Sequence, residues 1–91
     1  MNKTTEILQI TQEECAEVIQ SIAKCFRFGV DNHYPQSDKN NREHLTEELG
    51  DLLCMIDLIK EHNIVDSVKI EYYKQQKRTK LNRWSNIFES E

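Results

Sequence analysis

From position 5 to 27, Ile7, Leu8, Cys15, Val18, Ile19, Ile22, Cys25 and Phe26 fall within one continuous apolar arc at about 100° per residue, the pattern of an amphipathic helix. Gly29 supplies a C-terminal cap, and residues 30–39, with Pro35 among them, read as a polar loop, the only long connection expected. Asn40, with Glu43 three positions on, is an N-cap with a capping-box partner, so a second helix is predicted over 41–62. Its main stripe is Leu45, Leu49, Leu52, Leu53, Ile56 and Ile59, and Cys54, Met55 and Leu58 cover much of the remaining circumference. A helix apolar nearly all round is expected to be central. Asp66 is placed to cap a third helix reaching about position 82, with Val65 and Ile70 as a hydrophobic staple. The short aromatic tail from Trp84 through Phe88 is expected to pack on a neighbour.

Polar positions interrupt this pattern where they cost most. Glu13, Glu14, Glu17 and Lys24 occupy the arc beside the first apolar stripe, where a cleft between helices would form. Glu48 and Asp51 stand within the second helix, whose other positions are largely apolar. Residues three or four apart share a helix face, so Glu14 pairs with Glu17 and Glu48 with Asp51. A carboxylate desolvated without a partner costs several kcal/mol and must be protonated, paired with a base or bound to a metal. Glu13, Glu14 and Glu17 alone would read as a solvated face; two such pairs across one loop point to a cation. Carboxylates without imidazole suit a hard divalent ion, Mg²⁺ or Mn²⁺ in its place. No Glu-x-x-His of the di-iron bundles occurs, and no Cys/His cluster for zinc.

Composition narrows the class. A chain of 91 residues makes one domain, 1–91, whose own core is marginal, so association with a second copy is expected. Apolar residues at 37% and charged residues at 31% describe a globular chain, and two glycines and one proline leave few forced breaks. The expected fold is all-α, antiparallel helices whose four-helix-bundle-type core is completed by homo-oligomerisation, as a dimer or a dimer of dimers. A formal charge of −4 argues against nonspecific nucleic-acid binding, although basic residues gather between Lys69 and Arg83. No apolar stretch is long enough to span a membrane, and the polar start is unlike a signal peptide, so a cytoplasmic protein is expected. Cys15, Cys25 and Cys54 form no C-x-x-C and read as reduced, buried apolar residues.

The run Glu13-Glu14-Cys15-Ala16-Glu17, then a loop, then Glu48-Leu49-Gly50-Asp51-Leu52-Leu53 resembles the MazG-like nucleoside triphosphate pyrophosphohydrolases, of the all-α NTP pyrophosphatase superfamily. The resemblance covers about residues 5–83, with one departure, a somewhat long stretch between Glu17 and Glu48. It implies that Glu14, Glu17, Glu48 and Asp51 hold Mg²⁺, and that a nucleoside triphosphate is cleaved between its α- and β-phosphates to a monophosphate and pyrophosphate. In that chemistry Glu13 is the candidate proton acceptor or partner of the metal ligands. Lys24, two turns beyond Glu17, together with Arg27, Arg42, Lys77 and Arg78, are the candidate phosphate contacts. Phe28, Tyr34 and Trp84 are the aromatics available to a base. The rival reading is a non-catalytic helical module that binds a nucleotide or a protein and shows no metal dependence.

Overall fold

The helices start where side chains satisfy the first free amides. Asn2 Oδ1 accepts from Thr5 N–H (2.8 Å), Asn40 Oδ1 from Glu43 N–H (2.9 Å) and Asp66 Oδ1 from Lys69 N–H (3.1 Å). The computed structural model describes residues 2–89 and holds three helices there, α1 (Lys3–Phe28), α2 (Asn41–Glu61) and α3 (Ser67–Trp84), with no strand among them. Residues 1, 90 and 91 of the expected domain lie outside the described residues. α1 ends at Gly29, whose φ of 96° is open to glycine and strained for other residues.

α1 and α2 form an antiparallel hairpin locked by its loop. Asn41, with 0% exposure, donates from Nδ2 to the Gly29 carbonyl (2.9 Å), while its backbone N–H bonds Asn32 O (2.8 Å) and Arg42 N–H bonds Val30 O (2.8 Å). These bonds fix which turn of α2 faces which turn of α1. Descending α1 and ascending α2 in equal steps, Lys24 meets Asn41, Ser21 meets His44, Glu17 meets Glu48 and Glu14 meets Asp51. The two acidic motifs are therefore brought level by a loop that ends three turns away.

α3 does not complete this hairpin. Only α1 and α2 pack extensively against each other, none of the α3 side chains is buried, and the link back to α2 includes a 3.9 Å Lys60–Glu71 ion pair. The radius of gyration is 16.1 Å, against about 12 Å for a compact chain of this length. The accessible surface of 7431 Å² likewise exceeds the roughly 5,500 Å² of a compact monomer of this mass. The excess, about 1,900 Å² per chain and so roughly 3,800 Å² for two, is in the range buried by obligate homodimer interfaces.

Several expectations about burial are corrected by this shape. α2 is one arm of a hairpin and not a central helix: of its apolar side chains only Met55 is buried, while Leu53 is 60% exposed. On α1 Ile7 is buried but Phe26 is 87% exposed, because the apolar arc is wider than the face α2 covers. Cys15 and Cys54 are exposed, and Cys25 is half-buried with its Sγ 3.9 Å from the Asn41 carbonyl of α2. The tail folds back beside α3, placing Phe88 against the Arg78 guanidinium, 5.0 Å from the ring centre, so its first neighbour is its own helix.

Candidate metal centre

The spacing of E-x-x-E and E-x-x-D gives one carboxylate per turn on each facing helix. In the hairpin, carboxylate oxygens of Glu14, Glu48 and Asp51 all lie within 4.8 Å of one another, Glu14 and Glu48 half-buried and Asp51 exposed. Glu17, the fourth expected ligand, is not one of these three; it is exposed and lines the adjoining crevice with Glu48. Glu13 is exposed and belongs neither to the trio nor to the crevice lining.

The cluster is held against electrostatic cost. Burial pushes the Glu48 carboxyl above the usual carboxylate range, the charges of Glu17, Asp51 and Glu14 push it further, and His44 opposes them. No lysine or arginine is paired with Glu14, Glu17, Glu48 or Asp51 among the described residues. Three oxygen donors at this separation, unneutralised by protein cations, fit a hard divalent ion.

Beyond Glu17 and Glu48 the crevice changes character. It is lined by Glu17, Gln20, Ser21, Lys24, His44 and Glu48, so carboxylates at one end face an ammonium, an amide, a hydroxyl and an imidazole at the other. The Lys24 ammonium rests over the Tyr34 ring, 4.0 Å from its centre, and Tyr34 in turn packs at a tilt against His44, ring centres 5.2 Å apart. A ring nitrogen of His44, Nε2, hydrogen-bonds Ser37 Oγ at 2.7 Å. The loop thus braces two of the lining side chains, Lys24 through Tyr34 and His44 through Ser37. Gln20, Ser21 and His44 were not among the sequence-derived candidates; their signal is positional, since each lies one helical step from Glu17, Lys24 or Glu48.

The other basic candidates are elsewhere. Arg42 is exposed and bonds Asp31 at 2.7 Å across the loop, a contact that lowers the Asp31 carboxyl and raises the guanidinium from their usual ranges. Arg27 lies over the Phe28 ring at 5.0 Å. Lys77 and Arg78 are on α3 and belong to neither the carboxylate trio nor the crevice lining.

Comparison with known proteins identifies the family. The family model described as the MazG nucleotide pyrophosphohydrolase domain matches residues 2–83, covering both acidic motifs and all three helices except the last residue of α3. No curated protein matches the chain. No solved structure matches it either. The match spans most of the 91 residues, and the chain belongs to the MazG nucleotide pyrophosphohydrolase family.

Proposed function

We propose that this protein is a Mg²⁺-dependent nucleoside triphosphate pyrophosphohydrolase that cleaves between the α- and β-phosphates, releasing a nucleoside monophosphate and pyrophosphate. The observation that carries the reading is the convergence of Glu14, Glu48 and Asp51 within 4.8 Å, level with a donor-lined crevice. These three would hold Mg²⁺, or Mn²⁺ in its place. When bound, the ion neutralises triphosphate charge and polarises the phosphoryl group.

The chain's own groups divide the remaining work. Lys24, Gln20 and His44, which line the crevice, would hold phosphate oxygens along it, Lys24 by leaving the Tyr34 ring. Glu17, which lines the crevice beside the trio, would take a proton from water, the role expected above of Glu13, which is exposed and outside the crevice lining. Arg42 and Arg27 remain at the loop, where they can meet the outer end of a substrate. Lys77 and Arg78, on α3 and outside the crevice lining, would meet a nucleotide held by a second copy of the chain.

A homo-oligomer follows from the same reading. The surplus surface and the exposed Ile19, Phe26, Leu49 and Leu53 supply a self-complementary apolar face, and a second hairpin laid on it would complete a four-helix core. No described helix is long and apolar enough to cross a membrane, and the expected cellular setting is the cytoplasm.

The test is product analysis of a panel of ribo- and deoxyribonucleoside triphosphates with purified protein, in Mg²⁺ and in EDTA. Monophosphate and pyrophosphate released in Mg²⁺ alone support the reading. A folded, metal-supplied protein that is silent across the panel overturns it in favour of a binding module.

A further inference from the structure

Ser21 is the hydroxyl that breaks a local rule. Inside the helices Thr11, Thr46 and Thr79 each donate to the carbonyl four residues back, those of Ile7, Arg42 and Gln75, at 2.7, 2.7 and 3.2 Å. This is how a hydroxyl on a helix satisfies itself. Ser21 has the same option and does not use it. It is 5% exposed, and its Oγ has no hydrogen-bond partner. A buried, unpaired hydroxyl is unfavourable, and alanine at this position would avoid the cost. The side chain instead lines the crevice between Glu17 and Glu48, at the level of His44.

The crevice encloses about 30 Å³, more than the roughly 10–15 Å³ that one water needs by a comparable measure. It also supplies the two to four polar partners that hold a water in place: the Ser21 hydroxyl, the Glu17 and Glu48 carboxylates and the His44 ring. We propose that Ser21 holds the attacking water of the hydrolysis, fixing its oxygen beside Glu17 and next to the position that the metal-side carboxylates give the α-phosphate. The proposal rests on the pyrophosphohydrolase reading and adds a residue to it.

The step balances within the groups named. The water oxygen forms a bond to the α-phosphorus, the bond from that phosphorus to the bridging oxygen breaks, and its electron pair leaves with pyrophosphate. The water proton passes to the Glu17 carboxylate, and Ser21 keeps its own proton throughout. Ser21 therefore orients the nucleophile without changing charge. Loss of such an orienting contact is felt in turnover by about 10- to 100-fold, while ground-state binding of the triphosphate is left alone.

The test compares the parent with Ser21→Ala and Ser21→Cys, the latter keeping the side-chain volume with a weak donor. The measurements are kcat and KM for a triphosphate the parent hydrolyses, Mn²⁺ affinity without nucleotide, and Tm. Both variants are expected to lose 10-fold or more in kcat, with KM and Mn²⁺ affinity unchanged and Tm not lowered. Unchanged kcat in both variants, with the parent active, overturns the role of Ser21 and leaves the pyrophosphohydrolase reading standing. A rise in KM at constant kcat would put a phosphate oxygen on Ser21 and overturn the water site. A joint fall in Tm and Mn²⁺ affinity would make Ser21 structural and overturn it as well. A parent without turnover overturns both readings together.

Discussion

Replacing Glu48 with glutamine should make the metal-free protein more stable and the metal-supplied protein less stable than the parent. Glu48 faces the carboxylates of Glu14 and Asp51 within 4.8 Å. Two unit charges about 5 Å apart repel by about 0.8 kcal/mol in bulk water, so two such pairs cost roughly 1.7 kcal/mol. Screening at physiological salt, with a Debye length of about 8 Å, brings this to roughly 1 kcal/mol. Glutamine removes that repulsion and keeps the shape. For a domain of this size about 1 kcal/mol corresponds to a rise of roughly 4–8 °C in Tm in EDTA. The sign with pH follows from the raised Glu48 carboxyl. The folded chain holds that proton more tightly than the unfolded chain, so the penalty is absent in acid and grows as pH rises from about 4.5 through the higher folded value. The parent should therefore lose stability over that interval relative to Glu48→Gln. A ligand at 100 times its Kd adds about 2.7 kcal/mol to the form that binds it. Mg²⁺ or Mn²⁺ should thus lift the parent above the variant and reverse their order. Thermal unfolding at one protein concentration, with and without metal, reads both halves. A variant less stable than the parent in EDTA, or one stabilised equally by metal, would refute the reasoning.

The two glycines should respond in opposite directions to alanine. Gly50 is inside α2 with nothing within 4 Å of a new Cβ, so Gly50→Ala should gain about 0.5–1 kcal/mol by denaturant unfolding. At Gly29, where φ is 96° and the Cβ would lie 2.6 Å from Asn32 Nδ2, alanine should cost more than about 1 kcal/mol; matching responses would contradict the hairpin loop described above. Phe26→Asp combined with Leu53→Asp should shift the protein from oligomer to monomer in sedimentation velocity, because both side chains lie on the uncovered face. An unchanged sedimentation coefficient would move the interface elsewhere.

Local chemistry made much of this legible from residues alone. Asn40 and Asp66 cap the helices they were expected to cap, and Gly29 ends α1 in the conformation that calls for glycine. Glu14, Glu48 and Asp51 meet because three- and four-residue spacing on two antiparallel helices keeps successive turns level. What periodicity cannot carry is which chain covers an apolar face. The all-round apolar character of α2 therefore suggested a central helix, whereas in one chain Leu49 and Leu53 remain uncovered. Nor does charge alone say where a long side chain rests. Arg42 is held by Asp31 and Lys24 lies on Tyr34, both through a loop whose path follows from tertiary hydrogen bonds. Ser21 escaped notice because a serine on a helix ordinarily satisfies itself, and only its three-dimensional setting shows that this one does not.

The most direct measurement is hydrolysis of a nucleoside triphosphate in ¹⁸O-enriched water with Mg²⁺, followed by mass analysis of both products. Attack at the α-phosphorus beside Glu14, Glu48 and Asp51 is expected to place the label in the nucleoside monophosphate and leave pyrophosphate unlabelled. Label in pyrophosphate, or release of orthophosphate and a diphosphate instead, would contradict the chemistry assigned to this site.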